Sequence, residues 1–196
     1  MLTLHATDDG CVVVEGERVR ALGPYEELAA AHPQARVRRW PGILTPGLLN
    51  PYGPEILEHT YHPDPREADT YGTVPIGGER AREIFRADPS RLGASARRGV
   101  QRLFAHGTVA LAGEVRAKPV LDVVQRSGLV FGARPDRLPG PVSLSPAPMV
   151  LLPALVVGGP ARFAVFDVRD RADLVRRGAS TCVATVIGGR LVYRGR

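Results

Sequence analysis

Both ends of the chain consist of short β-type segments separated by glycine-containing turns. The N-terminal segments are 2–6, 11–15, 18–22 and 35–40, and the C-terminal segments are 162–168, 182–187 and 190–193. The last two flank Gly188-Gly189, which predicts a hairpin because glycine adopts the positive φ angles that two-residue turns require. Glycine and proline number 22 and 18 of 196 residues, which predicts many turns and few long helices. We therefore expect a β-sheet region at each end of the chain.

The middle of the chain alternates helix and strand patterns. Residues 95–106 place apolar side chains on one face and Arg97, Arg98 and Arg102 outside, which predicts a helix. Further helical segments are predicted at 24–31, 119–126 and 171–177, and further strands at 108–112 and 129–131. Helices that alternate with strands are typical of a parallel sheet. Residues 134–148 are proline-rich and are expected to be irregular.

The charge of the chain does not indicate a nucleic-acid partner. The net charge is +6 and the isoelectric point is about 10.0, values that can accompany nucleic-acid binding. However, the basic residues are almost all arginines, scattered in pairs such as Arg38-Arg39 and Arg176-Arg177, and only 6% of residues are aromatic. A basic run of five to eight residues, which would favour a nucleic-acid patch, does not occur.

Cysteine content and hydropathy point to the cytoplasm. The two cysteines, Cys11 and Cys182, lie in apolar strand-like segments and are expected to be buried thiols. The first ten residues, MLTLHATDDG, contain neither a basic region nor a long apolar stretch, so no secretory signal is predicted. The sequence also contains no apolar window of about 18 residues. We therefore expect a cytoplasmic protein without a membrane partner.

Residues 45–54, TPGLLNPYGP, resemble the first barrel strand of amidohydrolase-superfamily enzymes, which include imidazolonepropionases, cytosine deaminases and aminodeoxyfutalosine deaminases. In that family the asparagine is followed by a His-x-His pair that points to one side of the strand and binds a metal ion. Here Tyr52 and Pro54 stand at those positions. Proline has no donor atom, and a neutral phenol is a poor zinc ligand. The resemblance therefore covers the framework and lacks the metal motif.

Other segments resemble the same family. Residues 97–115 are similar to its first barrel helix and second strand, and residues 158–196 are similar to its closing strand and hairpin. The resemblance implies an α+β or α/β fold with a composite β-sandwich from both termini and a truncated β/α insert from a TIM-type barrel. The predicted domains are 1–48 with 158–196 for the sandwich, and 49–157 for the insert. A full barrel needs about 250 residues, so this insert has room for two or three β/α units.

The family's hydrolases use a metal-activated water, with further histidine ligands from later strands. This sequence has five histidines and none after position 106. We therefore expect an amidohydrolase-like, imidazolonepropionase-like protein with no cofactor and no catalysis, acting as a scaffold or accessory subunit. The alternative is a hydrolase or deaminase that acts on carbon–nitrogen bonds other than peptide bonds. It would need an atypical or partner-completed site for a divalent metal such as zinc.

The alternative site has its own candidate residues. The candidate metal cluster is Glu55, Glu58, His59, His62 and Asp64. If residues 55–60 were helical, Glu55, Glu58 and His59 would share a face, and His62 could join them around a divalent ion. The simpler interpretation is a polar loop, because Pro63 and Pro65 stop any helix. Further candidates are Glu114 and Asp64 for catalysis, and Tyr52, Arg116 and Lys118 for ligand binding.

A truncated barrel leaves sheet edges and apolar faces without neighbours, which is unfavourable in water. We therefore expect the chain to form a homo-oligomer or to bind a partner protein that covers them.

Overall fold

The computed structural model describes residues 1–195 and has a mixed α/β fold, as the sequence predicts. Within these residues twelve strands form three four-stranded sheets, and seven α-helices and two 3₁₀ turns connect them. The strands are β1 Leu2–Ala6, β2 Cys11–Glu15, β3 Arg18–Gly23, β4 Arg36–Arg39, β5 Ile43–Pro46, β6 Leu48–Asn50, β7 Thr108–Leu111, β8 Val130–Phe131, β9 Val150–Leu151, β10 Arg162–Phe166, β11 Cys182–Ile187 and β12 Arg190–Arg194. The helices are α1 Tyr25–Ala31, α2 Gly53–Leu57, α3 Ala68–Tyr71, α4 Gly78–Ala87, α5 Arg91–Phe104, α6 Lys118–Ser127 and α7 Arg171–Arg177.

The two ends of the chain each form a sheet. The N-terminal sheet has the order β3-β2-β1-β4, with β4 parallel to β1 and the other pairs antiparallel. The C-terminal sheet has the order β12-β11-β10-β5. Strand β5 was not predicted from the sequence; it pairs with β10 through Thr45 and Ala164.

These two sheets pack against each other through a shared apolar core. Val12 and Val14 of the N-terminal sheet lie in one buried cluster with Phe163, Val165 and Val186 of the C-terminal sheet. Their turns also meet, because a Cβ atom on Gly189 would lie 1.9 Å from the carbonyl oxygen of Gly16. Gly188 and Gly189 both have positive φ, 55° and 71°, as the predicted β11–β12 hairpin requires.

The third sheet, which we call the central sheet, comes from the middle of the chain. Its order is β8-β7-β6-β9, with β6, β7 and β8 parallel and β9 antiparallel to β6. The central sheet thus contains three parallel strands, and its origin as a truncated barrel insert stays a prediction. Strand β6 crosses the predicted domain boundary at residues 48 and 49, and the boundaries themselves stay a prediction.

Helices α5 and α6 cover one face of the central sheet. Ala96, Val100 and Leu103 of α5 and Val120 and Val124 of α6 belong to the largest buried cluster. Helix α5 begins at Arg91, four residues before the predicted start, because Asp88 accepts hydrogen bonds from Ser90 just ahead of it. Helix α4 was not predicted, since charged residues dominate it and only Ala81 and Ile84 are buried.

Among residues 1–195 no helix combines the length and apolar character needed to cross a membrane.

Candidate functional site

The end of β6 is held in place by Asn50, which is 1% exposed. Its side-chain oxygen accepts a hydrogen bond from the Tyr52 backbone N–H at 3.0 Å. Its side-chain nitrogen donates to the backbone carbonyl of Ser143 at 2.9 Å. One amide group therefore fixes both the turn after β6 and the proline-rich segment, which we define as residues 134–148. The sequence predicted this segment to be irregular but gave no indication of where it lies.

Tyr52 connects to the same proline-rich segment. Its ring is 2% exposed and packs in the cluster that contains Ile56, Leu103 and Leu111. Its hydroxyl donates a hydrogen bond to the Gly140 backbone carbonyl. The phenol proton is therefore already used for an internal contact. Whether Tyr52 also binds a ligand stays a prediction.

The residues at the two motif positions do not fit a divalent ion. Pro54 lies in the first turn of α2 and has no donor atom, and it is buried. The Tyr52 hydroxyl donates its proton to the Gly140 carbonyl. Metal ligands in such sites are imidazole, thiolate or carboxylate groups, so this pair cannot replace a His-x-His motif.

The side chains of the candidate metal cluster do not converge on one point, because two of its carboxylates form ion pairs with different arginines. Helix α2 ends at Leu57, so the helix over 55–60 that this cluster would require does not form. The chain turns away because the Thr60 hydroxyl caps the Glu55 carbonyl at 2.8 Å. Glu55 forms an ion pair with Arg134, and Asp64 pairs with Arg98 at 3.2 Å. The described part of the chain contains no group of three or more His, Cys, Asp or Glu side chains arranged to hold a metal.

His59 and His62 differ in their surroundings. His59 is exposed, whereas His62 is 1% exposed and its Nε2 lies 2.9 Å from the Ile56 carbonyl. Burial, reinforced by the positive charges of Arg102 and Arg98, lowers the pKa of His62 to about 4, so the ring is neutral at pH 7. Its Nδ1 is buried without a hydrogen-bond partner among the described residues. We infer that the His62 ring fills space between α2 and α5.

The candidates after β7 lie at the surface. Glu114 and Arg116 are both exposed and form an ion pair at 2.7 Å, which lowers the pKa of Glu114. Lys118 is the exposed first residue of α6. Glu58, a member of the candidate metal cluster, accepts hydrogen bonds from the backbone N–H groups of Arg116 and Ala117. Glu58 thereby satisfies donors at the start of α6. The roles of Glu114, Arg116 and Lys118 in binding or catalysis stay predictions.

Comparison with known families confirms the resemblance predicted from the sequence. Residues 10–35 match the family model of the imidazolonepropionase-like composite domain of bacteria. This stretch covers β2, β3 and α1 of the N-terminal sheet. No curated protein sequence matches the chain.

Several solved structures resemble part of this chain in their backbone fold. N-isopropylammelide isopropylaminohydrolase from Burkholderia multivorans gives a TM-score of 0.45 at 20% identity, over 68% of this chain and 37% of that one. Guanine deaminase from Bradyrhizobium japonicum gives 0.42 at 20% identity, over 63% and 27%. Guanine deaminase from E. coli gives 0.43 at 15% identity, over 63% and 30%. The chain thus spans well under half the length of these proteins.

Proposed function

We propose that this chain, whose N-terminal segment matches the imidazolonepropionase-like composite domain, is an amidohydrolase-like protein without catalytic activity. It would act as a scaffold or as an accessory subunit. The observation that carries the proposal is the pair Tyr52 and Pro54, which stands where the resemblance expects two histidine ligands. One of the two has no donor atom, and the other uses its hydroxyl to hold the proline-rich segment through Gly140.

The proposal includes the finer architecture. The N-terminal and C-terminal sheets would form the composite β-sandwich, and residues 49–157 would form the truncated barrel insert. The shared core of Val12, Val14, Phe163 and Val165 supports the sandwich. The three parallel strands β6, β7 and β8, with α5 and α6 against them, support the insert.

The edges of the central sheet are the proposed surface for a second copy of the chain or a partner protein. Strand β8 lies at one edge and β9 at the other. Each carries an exposed apolar side chain: Phe131 is 48% exposed and Leu151 is 42% exposed. Unpaired backbone groups next to exposed apolar residues favour association.

An assay of ammonia release tests the absence of catalysis. The purified protein would be incubated separately with Zn²⁺, Mn²⁺ and Fe²⁺ and then with amino-substituted purines, pyrimidines and triazines. We expect the rate of ammonia release to equal that of the protein-free reaction. Release that grows with protein concentration, and that is lost in His59→Ala, would establish the alternative function. His59 is exposed, so this variant should fold normally, and His32→Ala serves as a control for removing a histidine elsewhere.

A further inference from the structure

A groove of about 500 Å³ lies between helices α5 and α6. Its apolar lining includes Pro63, Val100 and Val123. Pro63 and Val100 are buried, and Val123 is 7% exposed. The groove volume lies within the range of about 300–1,000 Å³ that is typical of small-molecule sites.

Four arginines surround this apolar floor. Arg97, Arg98 and Arg102 come from α5, and Arg126 comes from α6. Arg98 and Arg102 share a face because residues four positions apart lie on the same side of a helix, and Arg97 borders the groove from the neighbouring face. The sequence alone placed them outside the core, but it could not bring Arg126 beside them, since that depends on how α6 packs on α5.

The groove carries more positive charge than the protein neutralises. Among the ion pairs of residues 1–195, only the one between Asp64 and Arg98 involves a groove arginine. Arg102 donates a hydrogen bond to the Thr73 carbonyl at 2.7 Å, which leaves its charge uncompensated. Burial, followed by the nearby charge of Arg98, lowers the pKa of Arg102. These guanidinium groups therefore repel one another beside a partly desolvated surface.

From the four arginines around the apolar floor we infer that the groove binds a small organic anion with an apolar body, of the aryl- or alkylcarboxylate class. The apolar part would cover Val100 and Val123. The carboxylate would face the guanidinium groups, which present paired N–H donors that match a carboxylate. An anion would also relieve the repulsion between the arginines. The inference does not depend on the proposed function, because none of these residues belongs to the motif around Tyr52.

Fluorescence titration with 1-pyrenebutyrate tests the site, and neutral 1-pyrenebutanol is the matched probe with the same apolar body. We expect the carboxylate to bind at least about tenfold more tightly than the alcohol, a difference of about 1.4 kcal/mol. The variant Arg97→Gln/Arg126→Gln should weaken binding of the carboxylate about tenfold. Both positions are exposed, so folding should be unaffected.

The control Arg36→Gln/Arg80→Gln removes the same charge from exposed positions outside the groove. We expect it to bind 1-pyrenebutyrate like the unsubstituted protein. Equal affinity for the two probes, or an equal loss of affinity in both double variants, would overturn the inference. The inference would also be overturned if 1-pyrenebutyrate did not bind at a concentration of about 1 mM, because even a very weak site has a dissociation constant in that range.

Discussion

The Tyr52 hydroxyl donates a hydrogen bond to the backbone carbonyl of Gly140, 88 positions later in the chain. The contact joins the end of β6 to the proline-rich segment at the position where the sequence resemblance led us to expect a metal ligand. Asn50 makes a second connection to the same segment through Ser143. The motif residues of this chain therefore fix a surface segment in place.

Removing the Tyr52 hydroxyl should loosen the proline-rich segment. In Tyr52→Phe the ring remains in its buried cluster, but the hydrogen bond to Gly140 is lost. We expect the free energy of unfolding to fall by about 1 kcal/mol and amide hydrogen exchange to accelerate within residues 134–148. Tyr193→Phe, at a half-buried tyrosine of β12, is the control. Unchanged exchange in 134–148 would show that the contact does not hold the segment.

Gly99 should tolerate no side chain, in contrast to Gly93 in the same helix. A Cβ atom at Gly99 would lie 2.8 Å from both His62 Nε2 and Leu57 Cδ2, whereas one at Gly93 would lie 3.5 Å from Pro119 Cβ. We expect Gly99→Ala to destabilise the protein by about 1–3 kcal/mol. We expect Gly93→Ala to be neutral or to stabilise it by up to about 1 kcal/mol. Denaturant unfolding of both variants would measure this, and equal effects would contradict the packing of His62 against α5.

Two buried histidines should make stability depend on pH. Burial lowers the pKa of His5, as it does that of His62, from the usual histidine value of 6.5 to about 4. Between these pH values the unfolded chain binds protons that the folded chain does not. The contribution of the two buried histidines to stability is therefore fully present above pH 6.5. It is lost as the pH falls towards 4, by at most about 3 kcal/mol for each histidine.

The test is the slope of the free energy of unfolding between pH 7 and 4. His62→Gln removes one of the two groups and should reduce this slope. His59→Gln, at an exposed imidazole, is the comparison. If the two variants have the same slope, His62 does not titrate as its burial requires.

The edges of the central sheet should make the chain self-associate. We expect native mass spectrometry to show a homo-oligomer, and Phe131→Lys or Leu151→Lys to shift it towards monomer, because each places a charge on an edge strand. Val175→Lys, at a valine of α7 that is 76% exposed, is the control and should leave the oligomer intact. A monomeric unsubstituted protein would contradict the proposed interface.

Strong local sequence patterns predicted several elements of the fold correctly. The Gly188-Gly189 hairpin formed as expected because its turn chemistry lies in two adjacent residues. Helices α1, α6 and α7 lie where the positions of proline, apolar and charged residues predicted helices. Strands β5 and β9 were missed because they are defined by pairing with distant strands, through Ala164 and Leu48 respectively.

The candidate site was harder to predict, because its key partners are backbone atoms. No sequence pattern marks the carbonyl groups of Gly140 and Ser143 as acceptors for Tyr52 and Asn50. The early end of α2 likewise depends on a local hydrogen bond from Thr60. The identity of the residues at positions 52 and 54 was readable from the sequence, but their contacts were not.

Elemental analysis of the purified protein tests the central claim most directly. Because Pro54 has no donor atom and Tyr52 is committed to Gly140, we expect zinc, iron and manganese far below one ion per chain, even after incubation with each metal and removal of the excess. About one tightly held ion per chain, the stoichiometry of a mononuclear centre, would contradict the account. That result would be decisive if the ion disappeared in His59→Ala.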